Sequence, residues 1–96
     1  MHVVSALTQT CEACPSQWSG AVGSMAEKNY RTLYIRYRWG VLSVRMGELN
    51  IVNSDAVSGE EVLRIRVGSM FDGWMSKKTL QLLTVELLDF SQLTRV

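Results

Sequence analysis

The sequence predicts an α+β domain in two layers: a small antiparallel sheet of 3-4 strands packed on one C-terminal helix. Three observations predict it. The run Thr32–Met46 alternates apolar and basic residues on both sides of Trp39-Gly40. The run Glu60–Gly68 alternates in the same way, with Leu63, Ile65 and Val67 on one side and Arg64 and Arg66 on the other. The stretch from Lys77 to about Phe90 carries Leu80, Leu83, Leu87 and Phe90 at the spacing of three and four that marks one face of a helix.

The hairpin is the best-specified element. A two-residue loop needs a residue that accepts positive φ, and Gly40 supplies one. With Trp39 and Gly40 in the loop, Arg38 pairs with Val41, Tyr37 with Leu42, Arg36 with Ser43, Ile35 with Val44, Tyr34 with Arg45 and Leu33 with Met46. All the apolar pairs then share one side, and Tyr34, Arg36, Arg38, Ser43 and Arg45 share the other. A slip of one residue would set an arginine opposite each apolar side chain, so register and turn chemistry agree.

Upstream of the hairpin, Val3, Val4 and Leu7 predict a short helix over residues 2–10, ended by Cys11-Glu-Ala-Cys14-Pro15, since the residue before proline avoids the α region. Ser16–Val22 reads as the first strand, with Trp18, Gly20 and Val22 on one face and Gly20 marking a weak point or bulge. Gly23–Arg31 is a polar connection. Downstream, Gly47–Gly59 is rich in turn residues and holds a short strand at Ile51-Val52. Ser69–Met75 is a turn around Asp72-Gly73. Ser76 is the N-cap of the helix. A strand over Thr84–Phe90 is the alternative there, because Val85 interrupts the leucines. Leu83 is expected to seat the helix on the sheet.

Ninety-six residues, 47% hydrophobic and 20% charged, make one domain over 1-96. No apolar run is long enough to span a bilayer. The opening Met-His-Val-Val-Ser-Ala-Leu lacks the basic start of a signal peptide. A cytoplasmic protein with no membrane partner is expected. A net charge of +1 argues against both a DNA mimic and a polycation, so any electrostatic function depends on how the charge is distributed.

That distribution is uneven. If the Glu60–Gly68 strand joins the hairpin sheet, Arg36, Arg38, Arg45, Arg64 and Arg66 share one face with Tyr34: five of the seven arginines. Arginine pairs with carboxylate or phosphate through a planar fork and stacks on rings. Trp39 at the hairpin tip is the candidate anchor, since tryptophan, tyrosine and arginine dominate binding hot spots. The bland role of such a face is solvation and edge protection. A basic sheet with aromatics also suits single-stranded nucleic acid, although the pI of 7.8 lies below that of dedicated binders.

Cys11 and Cys14 form one CxxC, half of a tetrahedral metal site or a redox pair. His2 is the only histidine, so a zinc site lacks ligands within the chain; the expectation is two reduced thiols and no cofactor. No phosphate-cradling glycine motif, nucleophile triad or calcium-loop spacing is present, and no catalytic residue is assigned. Met25, Met70 and Met75 read as gap-fillers. The second stripe of Leu82, Val85 and Leu88 leaves room for a homodimer. Together these observations predict a small non-enzymatic binding protein, of the stand-alone inhibitor kind that phages and mobile elements encode. It would recognise a protein or nucleoprotein partner through Tyr34, Arg36, Arg38, Trp39, Arg45, Arg64 and Arg66.

Overall fold

A computed structural model of the chain describes residues 2–12, 16–69 and 73–95. Its strands are β1 (His2–Cys11), β2 (Ser16–Val22), β3 (Arg31–Arg38), β4 (Val41–Met46), β5 (Glu60–Arg66) and β6 (Leu88–Asp89). Between β5 and β6 lies the helix α1 (Lys77–Leu83), and a short 3-10 helix at Ser91–Arg95 ends the described chain. All strands join one sheet in the order β5-β4-β3-β2-β1-β6. From β1 to β5 it is an antiparallel meander, whereas β6 runs parallel to β1, pairing Leu88 with His2 and Asp89 with Val3. The mixed sheet curls into a half-barrel.

This corrects the expected fold class. The protein is not a 3-4 strand sheet on a C-terminal helix, and its α+β description gives way to a mostly β one with one short helix. The β3–β4 pairing has the register expected for a Trp39-Gly40 loop, Arg38–Val41 through Leu33–Met46. The hairpin is not a module of its own, however: β2 and β5 flank it, so its strands lie inside the sheet.

Residues 2–10 are strand, not helix, and the cause is local. Val4 pairs with Val22 and Ala6 with Ala21, so Ser5 is an extra residue in the ladder. Such a bulge advances the alternation by one position. Val4 and Leu7 therefore both turn towards the core although they are three apart, a spacing that resembles one turn of helix. Gly20 sits opposite Leu7, and a Cβ there would overlap the Ala6 carbonyl. The close approach of β1 to β2 at the bulge thus requires glycine.

The helix stops two turns in. Ser76 caps it as expected, its Oγ accepting from the Thr79 N–H at 3.1 Å. Thr84 then ends it. This side chain is buried, and its Oγ1 donates to the Leu80 carbonyl at 2.8 Å. The Thr84 backbone N–H also donates to the Leu80 carbonyl, at 3.1 Å, and the chain leaves helical geometry at this residue, with φ −110° and ψ 14°. The N–H groups of Leu87 and Leu88 both turn back to the Thr84 carbonyl, and Leu88 starts β6. The dense leucines thus serve two elements. Leu80, Leu88 and Phe90 are buried and Leu83 and Leu87 half-buried, while Leu82 and Val85 of the second stripe stay exposed.

The core fills the concave side of the sheet. Trp18, Leu33, Ile35, Leu42 and Met46 are all buried, with Met75, Leu80 and Phe90 laid over them. Ser16 fastens this cover: its Oγ donates to the Glu12 carbonyl at 2.6 Å and accepts from the Met75 N–H at 3.0 Å. Ile51-Val52 is turn rather than strand, and both residues are exposed. Cys14, Met70 and Asp72 lie outside the described residues.

Candidate functional site

The convex face of the sheet carries the arginines, and the pairing fixes their places. Residues directly opposite in an antiparallel ladder share a face. One row across β3, β4 and β5 is Arg38, Val41, Arg66; the next is Arg36, Ser43, Arg64. Arg36 and Arg38 thus line β3, Arg64 and Arg66 line β5, and the smaller Val41 and Ser43 lie between them on β4. Neighbouring strands are about 4.8 Å apart, so the two arginine pairs stand roughly 10 Å apart across a shallow trough. Their alternating partners on β3, Leu33, Ile35 and Tyr37, are buried in the core, which holds the arginine side outward.

The third row is different. It pairs Tyr34 with Arg45, and Arg45 with Glu61. Without an irregularity Arg45 would face Val62. Val44 pairs with Leu63 and Arg45 with Glu61, so Val62 is bulged out and Glu61 is brought onto the arginine face. Glu61 accepts from Ser43 Oγ at 2.9 Å and from Arg64 Nη1 at 3.1 Å, with Arg45 Nη2 at 3.9 Å. The Ser43 hydroxyl first, and then Arg64, hold its carboxyl below the ordinary glutamate pKa. Arg45 also donates to the Gly59 carbonyl at 3.1 Å.

The seven residues singled out from the sequence therefore share a surface but not a state. Arg45 is engaged by Glu61 and the backbone, and Arg64 is tied to Glu61 while still well exposed. Among the described residues, no carboxylate lies within ion-pair distance of Arg36, Arg38 or Arg66. Free positive charge gathers at the hairpin-tip end of the trough. Glu61 was missed in the sequence because its strand position depends on the Val62 bulge; the serine at 43 opposite Arg64 was the available signal.

Trp39 marks that end. It is 60% exposed, and the Arg38 guanidinium carbon lies 4.2 Å from its ring centroid, a cation–π contact. Its φ is 55°, and that of Gly40 is 72°. Both central residues of this turn need positive φ, a task for Asn, Asp or Gly. A tryptophan in that conformation is not what turn geometry selects. The Gly40 carbonyl accepts from the N–H groups of Val67 (2.7 Å) and Gly68 (3.1 Å), which fixes the tip against the exit of β5.

Elsewhere, a shallow concavity of about 1000 Å³ is lined by His2, Met25, Tyr30, Arg31 and Leu49, among others. Its arginine is already committed: Arg31 Nε donates to the Gly47 carbonyl at 2.7 Å and Nη2 to Glu60 at 3.0 Å. Burial first, then nearby positive charge, lowers the His2 pKa. Among the described residues no group of three or more His, Cys, Asp or Glu is placed to hold a metal ion, and no helix is long and apolar enough to cross a membrane. Cys11 is half-buried at the end of β1, and its CxxC partner Cys14 lies outside the described residues.

Comparison with known proteins gave no match: no family model, no curated protein and no solved structure is significantly similar to this chain.

Proposed function

We propose that the protein is a small non-enzymatic binding protein that docks an acidic surface of a protein or nucleoprotein partner on the outer face of β3, β4 and β5. The observation that carries this reading is the set Arg36, Arg38, Arg64 and Arg66 flanking β4, with Trp39 held exposed at positive φ beside it. Surface arginines used only for solubility need no such aromatic neighbour. Strained backbone at an exposed anchor is a common mark of a binding site. Arginine forks and an exposed indole together supply carboxylate pairing and apolar contact. A cytoplasmic inhibitor that covers its target by this face fits a chain of this size.

A sequence-tolerant nucleic-acid binder on the same face is the second reading, favoured by the half-exposed Tyr34 beside Arg45. Base stacking needs open aromatic faces, and Arg38 covers one face of Trp39. The acidic-protein reading therefore ranks first.

Fluorescence anisotropy decides between them. Labelled poly-glutamate and labelled oligothymidine are titrated over a salt series with the wild type and with Arg36→Glu/Arg38→Glu. The expected result is binding of poly-glutamate that the double variant loses. Tighter binding of the oligonucleotide, falling steeply with salt as counterions are released, overturns the first reading in favour of the second.

A further inference from the structure

We infer that the outer edge of β5, which no described strand pairs, takes an added strand, an extended acidic segment of the partner in which acidic and apolar residues alternate. This rests on the acidic-partner reading above and specifies how the partner engages.

The topology supplies the edge. The half-barrel is open, and its two edges are β5 and β6. The β6 edge is two residues long, and the 3-10 helix that follows it packs against β1. The β5 edge is seven residues long. The chain leaving β5 turns towards the hairpin tip, where Val67 and Gly68 donate to the Gly40 carbonyl, and so does not fold back along the edge there. An edge strand presents a row of backbone donors and acceptors, which an extended peptide can continue.

The side chains specify what can be added. On the convex side the edge presents Arg64 and Arg66, both exposed, with Glu61 further along the strand tied to Ser43 and Arg64. Acidic residues placed directly opposite the two arginines pair favourably, whereas basic ones are repelled. On the concave side Leu63 and Ile65 are only half-buried, although the corresponding residues of β4, Leu42 and Val44, are fully buried. Apolar residues on an added strand would complete that cover. Acidic and apolar positions thus alternate, with the two-residue repeat that any strand carries. A second copy of this chain fails the same test in the register centred on Ile65. Antiparallel pairing about Ile65 would set Arg64 of each copy against Arg66 of the other.

The trough extends the match inward. Arg36 and Arg38 lie in the same rows as Arg64 and Arg66, two strands from the edge. Long acidic side chains on the added strand therefore meet a field deepened by a second arginine pair.

The test uses synthetic peptides. One alternates glutamate and valine between terminal threonines. A second has the same composition in blocks. A third is the alternating peptide with N-methylated backbone amides. Anisotropy gives affinity, and NMR amide exchange on the full chain locates the contact. The expected result is at least tenfold preference for the alternating peptide over the other two, with new protection of amides in β5. Arg64→Glu/Arg66→Glu is expected to lose that peptide and to bind one alternating lysine and valine. Equal binding of all the glutamate peptides, without protection in β5, overturns strand addition and leaves the acidic-partner reading intact. No binding of any glutamate peptide to the folded wild type overturns both.

Discussion

The guanidinium of Arg38 rests on the indole of Trp39, 4.2 Å from carbon to ring centroid, at a turn residue whose φ is 55°. The left-handed conformation costs an ordinary L-residue roughly 1–2 kcal/mol, and an exposed cation–π pair returns only about 0.5–1 kcal/mol. Structure alone thus gives tryptophan little advantage here. Trp39→Asn places a residue suited to positive φ in the turn and removes the ring. Urea unfolding should show a change within about 1 kcal/mol, since the two effects oppose. Binding of poly-glutamate should weaken at least tenfold. A variant that binds as well as the wild type would reduce Trp39 to a tolerated oddity of the turn.

Glu61 is the internal competitor of the arginine face. It occupies Arg64 and Arg45 and is fastened by Ser43. Glu61→Gln removes the anion and keeps the shape, so it should tighten binding of an acidic probe several-fold, most at low salt where screening is weak. Unchanged affinity across a salt series would separate Glu61 from the binding surface.

The same carboxylate gives a signed pH prediction. Its pKa is lowered in the fold, chiefly by the Ser43 hydroxyl and then by Arg64. The folded state thus binds this proton less readily than the unfolded chain. Any stability Glu61 contributes is complete above the ordinary glutamate pKa of about 4.3 and is lost as pH falls through the lowered folded value. Ser43→Ala removes the leading cause. A carbon-detected NMR titration should then place the Glu61 midpoint higher than in the wild type. An unmoved midpoint would show that the hydroxyl is not what holds it down.

Most of the convex face was legible in the sequence because β3 and β4 alternate without interruption, and alternation fixes both register and side. The β2 span and the Ser76 cap followed from equally local signals. What was not legible comes from two bulges and one terminator. The extra residue at Ser5 gave β1 an apolar spacing of three, which resembles a helix. The extra residue at Val62 moved Glu61 onto the arginine face. Periodicity carries no mark of an inserted ladder residue; only the partner strand reveals it. α1 ends at Thr84, whose hydroxyl bonds the Leu80 carbonyl in a buried site, and burial of one threonine is a tertiary fact.

Gly20→Ala tests the Ser5 bulge. The added Cβ would overlap the Ala6 carbonyl, a backbone atom that cannot swing aside as a side chain can. Overpacking of this kind costs about 1–3 kcal/mol or more. Urea midpoints should fall accordingly, with a Gly20→Ser variant at least as unstable. A wild-type midpoint for Gly20→Ala would mean that β1 does not approach β2 this closely.

The two-turn helix predicts opposite fates for leucines two residues apart. Leu80 is fully buried beneath the half-barrel, whereas Leu82 is 68% exposed. Leu80→Ala should cost about 2–5 kcal/mol, since it leaves a cavity under a lid of few residues. Leu82→Ala should stay within about 0.5 kcal/mol, as exposed substitutions do. A long helix seated through both leucine stripes would instead make the two losses comparable. Thermal melts of the two variants thus compare the short helix and β6 directly with one helix running to Phe90. A comparable loss at Leu82 would require its face to be covered, by a longer helix or by a second copy, and the concentration dependence of the melt separates those two causes.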